Sequence, residues 1–166
     1  MKGRLLIELR NREGKVVERQ TVENAVMQGG GEMIARLFSG QGFPISHMGV
    51  GTSDMEEPDS FDTTALINDE NSDYGSLSGE TEVALPPQSF AIEHNAEKRV
   101  YTVKVRGTLP AAAAVGMIRE AGLIAKNEST SVLYNRVIFA PMSKGDDHEL
   151  TMFWEVSFPY GDLQWY

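Results

Sequence analysis

The sequence predicts a mainly β chain: an antiparallel β-sandwich with one short helix near residues 31–39 and a long acidic loop. Three observations lead there. Beyond residue 90, segments rich in apolar and β-branched residues recur with turn-forming stretches between them. Helical periodicity is clear at one place, and residues 53–80 are dense in Asp, Glu, Ser, Asn and Gly. Strands so spaced, with no long helices between them, pack as an antiparallel sandwich or barrel-like sheet.

The elements follow in order. Arg4 to Arg10 mixes alternation with an apolar centre, Asn11-Arg12-Glu13-Gly14 is turn chemistry, and Lys15 to Thr21 is again extended, so residues 3–22 read as an N-terminal β-hairpin. Gln28-Gly29-Gly30-Gly31 reads as a permissive turn into a helix. Met33, Ile34, Leu37 and Phe38 then mark one helical face, ended by Ser39-Gly40. Ile45 to Val50 is a short buried strand. Within the acidic segment, Thr63 to Ile67 is a helical turn or a strand. Phe90–Glu93 and Arg99–Gly107 pair around Asn95–Lys98, Ala111–Ala114 is a short turn, and strands follow at Met117–Ala125, Val132–Phe139 and Leu150–Phe158.

A chain of 166 residues with 41% apolar content fits a single domain, 1–166, around one core. No segment has the length of a membrane-spanning helix, and no secretory signal or anchor is expected. Cysteine is absent, which excludes disulfides, thiolate metal sites and a cysteine nucleophile. The net charge of −9 argues against nucleic acid, and no Lys or Arg lies between Leu37 and Glu97. That stretch reads as a solvated face or loop before it reads as a site for cations.

Asp69, Asn71, Asp73 and Glu80 stand at positions 1, 3, 5 and 12 of a calcium loop, the oxygen donors a hard cation takes. Tyr74 stands where such a loop turns on Gly, and no helices flank it, so an acidic loop without metal is the better account. His47, His94 and His148 have no ligand-spaced partners. The Gly29–Gly31 run lacks the Lys and Ser/Thr of a phosphate loop, and no Gly-x-Ser-x-Gly elbow occurs. The expectation is therefore no enzyme and no cofactor. Interface candidates are Leu5, Ile7 and Leu9 of the hairpin, which could extend a neighbour's sheet. Tyr160, Leu163, Trp165 and Tyr166 of the aromatic tail 159–166 are the others.

The order Asn24-Ala25-Val26, Ile34-Ala35-Arg36-Leu37, Ile45 to Thr52 and Thr64-Ala65-Leu66 resembles bacteriophage tail and fibre-type virion proteins. Gly116 to Leu123, Leu133 to Pro141 and Leu150 to Phe158 with Trp154 look like the N-terminal particle-attachment domain of tail-collar fibre proteins. The resemblance runs from about Asn24 to Phe158 and implies a β-sandwich that docks on a symmetric particle. It carries no catalytic residue. In that family the domain usually continues into a long fibre, whereas this sequence stops at Tyr166, so an adaptor, collar, baseplate or decoration subunit is expected. The partners would be other virion proteins and copies of the chain in a symmetric homo-oligomer, with synthesis in the host cytoplasm and no nucleic acid or membrane bound. The alternative is a sandwich binding carbohydrate or calcium, with the acidic stretch 54–82 and Trp154 or Trp165 as its surface.

Overall fold

A computed structural model describes residues 2–53 and 61–161. The chain runs β1 (Lys2–Arg10), β2 (Val16–Val26), α1 (Gln28–Phe38), β3 (His47–Gly51), β4 (Glu82–Ala84), β5 (Phe90–Asn95), β6 (Val100–Leu109), β7 (Gly116–Lys126), β8 (Ser131–Leu133), β9 (Asn135–Lys144) and β10 (Glu149–Pro159). The strands join in one antiparallel sheet of order β4-β3-β7-β9-β2-β1-β10-β6-β5, with β8 added to β7, and the sheet curls into a half-barrel. Its two arms meet at a narrow seam, where β2 and β9 pair only at Ala25–Arg136 and Val26–Asn135.

Alternation sets the inner face. Leu5 lies opposite Trp154, and Trp154 opposite Val105, so β1, β10 and β6 send Leu5, Ile7, Leu9, Leu150, Met152, Trp154, Val105 and Leu109 into one buried cluster. The curl brings the arms into contact. A Cβ on Gly107 of β6 would meet the side-chain ends of Met48 of β3 and of Leu85, which would have to shift to make room, so glycine here eases the close approach of the arms.

The N-terminal hairpin forms as expected, but not at an edge. β1 pairs with β2 on one side and along its whole length with β10 on the other. Leu5, Ile7 and Leu9 are buried core residues, which corrects their assignment as interface residues. A strand flanked on both sides has no hydrogen-bonding groups left to offer a neighbour.

The helix starts three residues earlier than 31, taking Gly29, Gly30 and Gly31 into its first turns. Proximity is the reason. Met27 donates to the Tyr134 carbonyl at 2.9 Å, and a Cβ on Gly30 would overlap that same oxygen, whereas nothing stands within 4 Å of a Cβ on Gly31. The paired substitutions should therefore diverge. Gly31→Ala is expected to stabilise by about 0.5–1 kcal/mol through helix propensity. Gly30→Ala is expected to destabilise by about 1–3 kcal/mol through overpacking, with urea midpoints as the measurement.

The strand expected at Val132–Phe139 is interrupted at Tyr134, giving β8 against residues 124–126 of β7 and β9 against its first half. β4, three residues long, had no periodicity to announce it.

Candidate functional site

Two constructions stand out: a buried polar staple on one arm, and an apolar trough between the arms. The staple is centred on Glu120, fully buried in β7. Arg136 Nε of β9 donates to it at 2.6 Å, and the Ile67 backbone N–H donates at 2.7 Å. Arg136 also reaches Ser53 Oγ at 3.3 Å. A carboxylate with no solvent is stable only with such partners.

What the staple holds is the described part of the acidic stretch. Thr52 N–H donates to the Ile67 carbonyl at 2.8 Å, Asp69 N–H donates to Thr52 Oγ1 at 3.0 Å, and Asn68 exchanges two hydrogen bonds with the Leu77 backbone at 2.7 and 3.0 Å. Leu66 packs against Ile124 beside Gly49 and Gly122. Glycines at 49, 51 and 122 are the space this requires. A Cβ on Gly51 would overlap the Glu120 carboxylate and the Ile67 carbonyl, and one on Gly122 would press on the Asn135 carbonyl at 2.5 Å. Glu120-Ala121-Gly122-Leu123 is thus a place of close backbone approach within β7, with a register shift between Ile118 and Glu120.

The calcium candidates are not gathered. Among the described residues no three His, Asp or Glu side chains lie close enough to share an ion, so Asp69, Asp73 and Glu80 do not converge. Asp69 Oδ1 instead accepts from Asn71 N at 2.8 Å and Asn71 Nδ2 at 3.2 Å, the Asx pattern of a self-closed turn. Asp54 and the other acidic residues of 54–60 lie outside the described residues. His47 bonds Ser46 Oγ at 2.8 Å, and His148 Nδ1 faces the Gly145 N–H of its own turn at 3.0 Å.

The trough is the larger feature, a groove of about 610 Å³ between α1 and the inner face of β5, β6 and β10. Met33, Ile34, Leu37 and Phe38 form its helical wall, and Phe90, Val103 and Phe158 its floor. Tyr134 also lines it, its hydroxyl pushed up to about pKa 12 by burial and so neutral at physiological pH. Met33 is buried as a core-facing helical residue should be, yet Phe38 is 91% exposed at the mouth and Leu37 45%. One helical face has thus been divided between core and open groove. Across the rim, His94 stacks on Tyr101 at 4.4 Å and its Nε2 meets the Tyr160 hydroxyl at 2.8 Å. Tyr160, one of the expected interface residues, therefore sits in a surface aromatic cluster on this side. Leu163, Trp165 and Tyr166 lie outside the described residues.

Lys144 is another buried charge, 1% exposed, capping the Pro110 and Ala111 carbonyls at 2.9 and 3.0 Å. Burial lowers its pKa, countered by Glu149, Asp146 and Asp147. These bonds fasten the 110–115 turn, where Ala114 adopts φ 48°. No helix among the described residues is long and apolar enough to cross a membrane. Comparison with protein-family models, curated proteins and solved structures found no match to this chain.

Proposed function

We propose that the chain is a structural subunit of a bacteriophage virion, in its tail, collar, baseplate or fibre adaptor, and that it works by protein–protein assembly rather than by catalysis. In this reading residues 1–166 are one domain, the two arms of the curled sheet act as the layers of a sandwich, and the partners are other virion proteins. The observation that carries it is the open trough with Phe38 and Leu37 at its mouth. Large apolar side chains held in water at the lip of an apolar groove are what an interface core looks like before its partner arrives. The groove is lined almost wholly by carbon, which suits an apolar protein segment better than a sugar or an ion. The ordered sequence resemblance points to the same class of particle, and the net charge of −9 disfavours binding to nucleic acid.

Mass spectrometry of gradient-purified particles from the source lysate is the test. The protein should co-purify with the tail components, and its absence from intact particles would overturn the reading. Phe38→Ser should leave folding stability within about 0.5 kcal/mol, as expected for an exposed position. Its incorporation into particles should fall at least tenfold, measured by the same quantitative mass spectrometry.

A further inference from the structure

We propose that two copies of this chain pair through β5, antiparallel about a twofold axis beside Ile92, joining two half-barrels into one continuous sheet. This goes beyond the assembly reading and stands without it, because it concerns the purified chain alone.

The argument begins with an edge that lacks protection. The curled sheet ends in β4, only three residues long, and in β5, six residues long and exposed along most of its length. Among the described residues β5 pairs with β6 alone, in an unbroken register from Phe90–Val105 to Asn95–Val100. Edge strands in soluble proteins are blunted by shortness, proline, charged side chains (lysine above all) or a bulge, because their free N–H and C=O groups otherwise capture another strand, and the one charge of β5, Glu93, is held by Lys104 of its own sheet. The sequence Phe-Ala-Ile-Glu-His-Asn contains no proline and no lysine, and its ladder has no bulge. Ile92 is 71% exposed there, a large apolar side chain on an open edge.

The strand's own sequence selects a second copy as the occupant. With Ile92 opposite Ile92, antiparallel pairing puts Phe90 against His94 and Ala91 against Glu93. Apolar meets apolar, aromatic meets aromatic, and the strand's one charged residue faces the smallest. No like charges oppose each other, which matters for two chains of net charge −9 each. Glu93 is also paired with Lys104 of its own β6 at 2.9 Å. The contact is isologous, so it closes at two copies and does not propagate. Ile92 and Phe90 share the face of Val103 and Val105, so the inner faces of the two half-barrels would run on into one another.

The absence of cysteine supplies a clean test. Light scattering on the purified full chain should give twice the chain mass, and Ile92→Lys, which places two ammonium groups face to face, should raise the dissociation constant at least tenfold. Ile92→Cys should cross-link to a dimer on mild oxidation, because directly opposed residues bring Cα atoms within about 4.5–5.5 Å, inside disulfide range. Glu93→Cys, which faces Ala91 and not its own copy, should cross-link at least tenfold less. A monomeric wild-type chain, a dimer indifferent to Ile92→Lys, or equal cross-linking at positions 92 and 93 would each overturn the proposal. So would a chain that stays monomeric alone and pairs only with a different particle protein.

Discussion

Arg136→Ala is expected to destabilise the fold by about 3–5 kcal/mol, because it strands the Glu120 carboxylate without its cation in a site sealed from water. The geometry sets the size of the effect. Glu120 is fully buried, and among the described residues its remaining partner is the Ile67 N–H, a neutral donor that cannot balance a charge. Glu120→Gln keeps an acceptor for Ile67 and removes the charge, so combining it with Arg136→Ala should cost less than the sum of the two single changes. A coupling of roughly 0.5–3 kcal/mol is expected from such a contacting pair. Urea midpoints at constant slope measure it. The staple also has a local signature: in Arg136→Ala the Ile67 amide should lose hydrogen-exchange protection more than the β1–β10 ladder does. Equal loss at both would mean that the pair supports the whole core and not the acidic segment in particular.

The second large effect is at Trp154. Trp154→Ala should cost about 3–5 kcal/mol, since the largest fully buried side chain among the described residues leaves a cavity between Leu5 and Val105. Trp154→Phe should be far milder, within about 1.5 kcal/mol. The indole Nε1 is buried with no hydrogen-bond partner among the described residues, so phenylalanine gives up packing volume but also relieves an unsatisfied donor. Chemical denaturation of the three proteins decides between packing and polarity: equal losses in both variants would show that the indole nitrogen is satisfied in solution.

The two sites differ in how far the sequence announces them. Trp154 lies in an alternating segment, and Leu150, Met152, Trp154 and Val156 at every second position mark its inward face without help from the rest of the chain. The hairpin turn at Asn11–Gly14 was equally local: Asn11 Oδ1 accepts from the Glu13 and Lys15 N–H groups, the chemistry that makes Asn a turn residue. Glu120 was visible only as one acid inside an otherwise apolar strand. Its partners come from 16 and 53 residues away, distances over which no periodicity reaches. Gly49, Gly51 and Gly122 were a clue, since glycines inside strands often mark another backbone close by.

The trough was illegible for a related reason. Met33, Ile34, Leu37 and Phe38 form a proper amphipathic face, and nothing in their spacing says that Phe38 stays in water while Met33 does not. The helix start was misplaced because glycines weaken helices on average, whereas here the Tyr134 carbonyl lies where a larger residue's Cβ would stand. A strand near the start of a sequence is often an edge, which is why the hairpin reads as one from its residues alone. Pairing between residues 2–10 and 149–157 is a property of the whole fold.

That last pairing has a consequence for biosynthesis. β1 and β2 leave the ribosome before β10 and can form their hairpin at once, yet the free side of β1 waits for β10, so Leu5 cannot meet Trp154 until the residues between them have been translated. Until then Leu5, Ile7 and Leu9 are uncovered, in a topology dominated by distant contacts of the kind that folds slowly. A ribosome stalled before residue 149 should therefore hold a hairpin that is sticky and protease-sensitive, and emergence of β10 should act as the latch.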